Sequence, residues 1–233
     1  MTDNQWDLSL AGSPVALRAS RTVWLPEFGT LLVADAHFGK DQAFRRAGIP
    51  VPAGGADDSL AVLTREIEAT AARRLVFLGD LLHARQGRSD PLDEALSRWR
   101  EAHADLCVTL VRGNHDTGAG DPPPRWRFDV VDEPQALGPF ALCHHPQRLD
   151  GRYVWAGHVH PALRVWRGRQ RLRLPCFHLG PHAGVLPAFG AFTGSHTIEP
   201  QPGERVIVIA GDALREWPVA PASDPGAADP ASH

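Results

Sequence analysis

Residues 74–83 read RLVFLGDLLH, an apolar run that stops at Gly79 and gives way to a carboxylate, Asp80. The run shows no polar alternation, so it fits a strand covered on both faces, as in a parallel sheet. The same pattern occurs on either side of it, as TLLVADAH at 30–37 and LCVTLVRGNHD at 106–116. Between these three strands the periodicity is helical. Asp57 or Asp58 is expected to cap a helix running to about Arg73, with Leu60, Leu63, Ile67 and Ala71 on one stripe. Asp90-Pro91 opens a second helix to about His103, with Leu92, Leu96 and Trp99 inward. Strands and helices in this alternation imply right-handed crossovers and a parallel sheet.

Outward from this unit the texture changes. Residues 14–25 predict two short strands around a turn at 19–21, and 39–52 a rim or lid segment. After Gly120, Pro122–Pro124 break the chain, and short strands are expected at 128–131, 138–143, 152–156, 163–167, 170–174 and 205–210. Trp166–Gln170 reads as the tip of a hairpin. The fold class is therefore α/β: an α/β half and a mostly β half, assembled as two facing sheets flanked by helices in a single domain over 1–217. Residues 218–233, PVAPASDPGAADPASH, have no periodicity and predict a disordered tail.

Composition narrows the function. At 233 residues and 43% hydrophobic, the chain can bury a substantial core. Its net charge of −3 argues against a nucleic-acid groove built on global charge, though not against a local patch. Cys107, Cys143 and Cys176 are isolated and odd in number, which disfavours thiolate metal sites and disulfides. No apolar stretch approaches the ~18 residues of a membrane span, and a soluble cytoplasmic protein is expected. The only lysine, Lys40, sits close behind the first acidic motif.

Five motifs carry the chemistry: Asp35-Ala36-His37, Gly79-Asp80, Gly113-Asn114-His115-Asp116, His144-His145 and Gly157-His158-Val159-His160. Each follows a predicted strand, and functional groups in α/β sheets gather beyond strand carboxyl ends. Asp35 and His37 are two apart, as are His158 and His160, so extended backbone would aim each pair the same way. Nitrogen and oxygen donors collected in this way suit a pair of divalent cations. Asp80 is the carboxylate best placed to bridge them, and a water shared by two such ions loses a proton near neutral pH and attacks phosphorus in line.

These motifs, in this order, resemble the calcineurin-like metallophosphoesterase superfamily over about 30–209. DAHFGK (35–40), GDLLH (79–83), RGNHD (112–116), HHP (144–146), GHVHP (157–161) and LPAFGAFTG (186–194) resemble its bacterial ligase-associated DNA-damage-response endonucleases. The resemblance implies a four-layer α-β-β-α sandwich of two facing mixed sheets. It implies one metal held by Asp35, His37, Asp80 and His160, and a second by Asp80, Asn114, His144 and His158. His115 would meet the scissile phosphate, with Asp116 orienting its ring, and His83 would sit on the phosphate side. Lys40 and Arg112 would neutralise phosphate oxygens, and His145 would contact substrate. The implied cofactor is two ions, manganese first, with iron, zinc or cobalt accommodated. The implied substrate is single-stranded or flexible DNA, in functional association with a ligase, helicase and exonuclease.

Several alternatives stay open at this level. His145 competes with His144 as the ligand. The arginines of the 164–173 hairpin suit either a nucleic-acid backbone or a solvated, charge-blunted edge. Other phosphoesterases of the superfamily, acting on monoesters, cyclic nucleotides or nucleotide-sugar pyrophosphates, share the site motifs. A non-catalytic scaffold would be expected to lose ligands, and here all seven positions hold donors.

Overall fold

The computed structural model describes residues 3–51, 54–83, 89–190 and 192–219. Most of the expected tail therefore lies outside the described residues, as does Pro52. One sheet has seven strands in chain order: β1 (Gln5–Leu10), β2 (Ser13–Arg18), β3 (Val23–Leu25), β4 (Thr30–Val33), β5 (Arg74–Leu78), β6 (Cys107–Val111) and β7 (Asp129–Val131). Pairing is antiparallel up to β4 and parallel from β4 to β7. Crossover helices explain the change: α2 (Gly55–Thr70) joins β4 to β5, and α3 (Asp90–Ala102) joins β5 to β6. Two shorter helices, α1 (Lys40–Arg46) and α4 (Asn114–Ala119), start within the DAHFGK and GNHD motifs.

The second sheet has nine strands: β8 (Gln135–Leu137), β9 (Phe140–Leu142), β10 (Tyr153–Ala156), β11 (Pro161–Arg167), β12 (Gln170–Leu179), β13 (Ala183–Val185), β14 (His196–Thr197), β15 (Arg205–Ala210) and β16 (Ala213–Trp217). It too is mixed, with β9, β10 and β13 parallel and most other pairs antiparallel. β12 outruns the expected strand because it changes neighbours. Through Pro175 it pairs with β11, and from Cys176 it pairs with β15.

The alternation of side chains decides the layers. Leu31, Val33, Leu75 and Phe77 face Leu60, Leu63 and Ile67 of α2 and Leu92, Leu96 and Trp99 of α3. Leu32, Val76 and Leu78 point the other way and pack on Phe140, Trp155, Phe177 and Ile207 of the second sheet. The continuous apolar runs are thus strands buried on both faces. Every helix of the described residues precedes Arg127, so the helical cover is built by the first half of the chain.

Two helix boundaries differ from expectation. Gly54, not Asp57 or Asp58, occupies the cap of α2, and both aspartates lie in its first turn, where they complement the helix dipole. Ala71 is exposed and ends α2 in a left-handed conformation at φ 52°. α3 is capped as a helix opening Ser-Asp-Pro should be: the Ser89 hydroxyl accepts from the Leu92 amide.

Candidate metal centre

β4, β5 and β6 end side by side, and Asp35, Asp80 and Asn114 follow those ends by two or three residues. From the facing sheet, β9 and β10 end in parallel and deliver His144 and His158. The post-strand segments are then laced together. The His37 amide donates to the Asp80 carbonyl (2.9 Å), Gly157 to His144 (3.1 Å), and Gly190 of the LPAFGAFTG stretch to Asp35 (3.2 Å).

The backbone here is not extended. Asp35, His37, Asp80, His158 and His160 all have positive φ, between 45° and 67°. The two-residue spacing therefore brings Asp35 and His37 together by left-handed backbone and not by strand alternation, whereas His158 and His160 part, the one towards His144 and the other towards Asp35. Glycines make the room. A Cβ on Gly79 would lie 2.1 Å from His144 Nδ1, on Gly113 2.4 Å from Asp80 Oδ1, and on Gly157 2.7 Å from Asp35 Oδ2.

Asp80, 2% exposed, is the hub. Its Oδ2 lies 3.7 Å from His37 Nε2 and its Oδ1 3.5 Å from His144 Nε2. Asp35 holds the first side: its Oδ1 is 3.4 Å from His160 Nε2, and its carboxylate accepts the His158 amide at 2.9 Å. On the second side, His144 Nε2 meets Asn114 Oδ1 at 2.9 Å and His158 Nδ1 at 3.1 Å.

These donors fit a pair of divalent cations. His144 Nδ1 donates to the Leu78 carbonyl (3.0 Å) and His160 Nδ1 to that of Gly194 (3.1 Å), which leaves each Nε2 as a lone pair aimed inward. Such outer hydrogen bonds are how metal-binding imidazoles are oriented. Both ring nitrogens of His37, and His160 Nε2, are buried with no hydrogen-bond partner, a costly state that a metal ion would relieve. Burial, reinforced by the nearby Lys40 charge, pushes the His37 imidazole down to about 2, so it stays neutral as a ligand must. The groups Asp35, His37 and His160, and Asp35, Asp80 and His144, each converge closely enough to share an ion.

The remaining expected residues fall into two kinds. His83 and His115 are at the centre: their rings stack at 5.7 Å, and each lies within 5.6 Å of the His37 ring. Burial, then Lys40, lowers the His83 imidazole. Lys40 faces the same space. Burial lowers its ammonium, while Asp80 and Asp35 oppose that shift. Arg112 is turned elsewhere: Asp121 holds it with two 2.9 Å bonds and Asp132 with a third.

Asp116 has a different role from the one expected. His115 Nδ1 donates instead to the His83 carbonyl at 2.9 Å. The buried Asp116 carboxylate accepts from the amides of Leu81, Leu82 and Gly113, tying the two motif loops together. Between the adjacent histidines, His144 is fully buried among the donors. His145 is half-exposed with its Nδ1 on Glu133 at 2.8 Å. Glu133 was missed by sequence reading. Its carboxylate also accepts the His144 and His145 amides, and those bonds outweigh burial and hold it below the usual carboxylate range. No motif flanks it, and the only signal is its place before a strand that pairs with β9.

A sandwich of two mixed sheets with such donors at their joined ends is that of the calcineurin-like metallophosphoesterase superfamily, and the chain belongs to it. Its reaction is accordingly the hydrolysis of phosphate esters. Among solved structures it is similar to the Pseudomonas putida nuclease MPE, with 40% identity over 88% of this chain and 97% of that one, at a TM-score of 0.80. A phosphoesterase from E. coli, Yfce, aligns at 17% identity over 79% of this chain and 90% of that one, with a TM-score of 0.40. No protein-family model and no curated protein matches the chain. No helix among the described residues is long and apolar enough to cross a membrane.

Proposed function

We propose that the chain is a divalent-cation-dependent nuclease that cuts phosphodiester links in single-stranded or otherwise flexible DNA. The observation that carries the reading is Asp80, whose two oxygens face two separate donor sets. One set is Asp35, His37 and His160, and the other is Asn114, His144 and His158. When bound, two cations would supply Lewis-acid charge to the phosphate and bring a water within reach of deprotonation near neutral pH. Manganese is the ion we assign, and the nitrogen and oxygen donors also accept iron, zinc or cobalt.

The chain's own residues do the rest. His115 presents Nε2 to the open side, 3.9 Å from Asp80 Oδ2, and in its protonated form hands a proton to the departing oxygen. His83 stacks on it and fixes its ring through the backbone carbonyl. Lys40, and not the carboxylate-bound Arg112, is the cation that meets the incoming phosphate. The likeness to a nuclease supports a nucleic-acid substrate, and the flanking motifs support DNA. The flanking motifs also support a role in repair beside a ligase, helicase and exonuclease.

The test compares circular single-stranded DNA, a small phosphodiester and a phosphomonoester, each with added manganese. Both diesters should turn over. Asp80→Ala should cut that turnover by more than the ~10–100-fold that outer hydrogen-bond partners cost. Turnover of the monoester alone, or full activity of the variant, would overturn the reading.

A further inference from the structure

β11 begins at Pro161, immediately after His160, and runs away from the centre into a hairpin with β12. Residues 161–175, PALRVWRGRQRLRLP, hold five arginines and no acidic residue, on a chain whose net charge is −3. The register sorts them. Arg164 lies opposite Arg173, and Trp166 opposite Arg171. All four are on one face and exposed, while Leu163 and Val165 of the alternate face are buried against Cys176, Val206 and Val208.

A solvated edge explains this face poorly. Like charges directly across a ladder are destabilising. Among the described residues none of Arg164, Arg169, Arg171 and Arg173 takes part in an ion pair. Trp166 is 68% exposed, with the Arg171 guanidinium 6.0 Å from its ring centroid. A stacking aromatic set among unpaired cations is the composition of a single-strand platform. The face is also coupled to the centre: Arg173 donates to the Ser195 carbonyl, one residue from the Gly194 carbonyl that orients His160.

We infer that the face formed by Arg164, Trp166, Arg171 and Arg173 is a docking arm for a single-stranded nucleic acid, holding its phosphates and stacking a base outside the metal centre. This rests on the nuclease reading and adds to it a second contact region. From His160 to the tip is about seven residues, or ~23 Å at ~3.3 Å per residue. Oligonucleotides long enough to reach it should be held far better than dinucleotides.

The test is fluorescence anisotropy of a labelled 30-mer single strand on the full chain in chelator, across a salt series, with small-phosphodiester turnover measured in parallel in manganese. Arg164→Glu with Arg171→Glu should weaken binding at least tenfold and flatten the log–log salt dependence by about 1.4, two contacts at ~0.7 each. Trp166→Ala should weaken binding about fivefold or more, as loss of one stacked base does, with the salt slope kept. Turnover of the small diester should stay within twofold in all variants. Unchanged binding and slope, or no binding by the wild type, would overturn the arm. Arm-dependent binding without DNA cleavage by the wild type would instead overturn the nuclease reading and leave the arm standing.

Discussion

Five of the seven proposed ligands sit in left-handed backbone, a conformation that costs non-glycine residues about 1–3 kcal/mol each at functional sites. The surrounding structure must over-determine them. Here that means the amide-to-carbonyl lacing between the motif loops and the three amides gathered by Asp116. The ligand types could be read from the sequence because Asp, Asn and His after buried strands are chemically conspicuous. Their local geometry was not legible, since an alternation argument assumes extended φ and these residues have abandoned it. Glu133 escaped because its role is to hold the amides and ring of neighbouring histidines. Glu133→Gln should therefore weaken metal binding about 10–100-fold while leaving the fold in place. Calorimetric titration with manganese checks this, and an unchanged affinity would deny Glu133 that role.

At the scale of elements, the strands with apolar side chains on both faces were the readable ones. β4, β5 and β6 fall within a residue or two of expectation. β1 and β16 did not declare themselves: β1 alternates half-buried and exposed positions at one edge, and β16 is largely exposed. The strand expected at 170–174 ends just before Pro175, whereas β12 continues through it and trades one partner for another. Its second half is tied down by Glu204, which accepts from His178 of β12 at 2.7 Å and from the Gln201 amide at 2.8 Å. Burial opposes the Glu204 charge, but the Gln201 and His178 bonds win and lower its pKa. A depressed carboxylate adds stability above its unfolded value and loses it as the pH falls through the folded one. Glu204→Gln should thus cost about 1 kcal/mol at pH 7, with the difference closing as pH falls below the ordinary glutamate value of 4.5. Urea melts of both proteins across that range check the sign. A gap that widens on acidification would refute it.

For the whole molecule, two facing sheets followed from the change of texture at Gly120, and hydrophobic patterning was enough for that. That the helices cover the first sheet was legible too, because both crossovers lie between its strands. The centre draws Asp35, Asp80 and Asn114 from the ends of one sheet and His144 and His158 from the ends of the other. The apolar seam between the layers, around Trp155 and Phe140, ends in a rim where the His158 amide and the His144 ring reach across to Asp35 and Leu78, and where His144 Nε2 and Asn114 Oδ1 face one another as two acceptors. Loading the ions should therefore act as a latch, making heat resistance a gauge of occupancy. Free ion at a hundred times its dissociation constant adds about 2.7 kcal/mol, or roughly 5–10 °C for a chain of this size. Calorimetric scans should show that rise with manganese for the wild type and its absence in Asp80→Ala. Identical melting with and without chelator would mean that no ion clasps the two layers together.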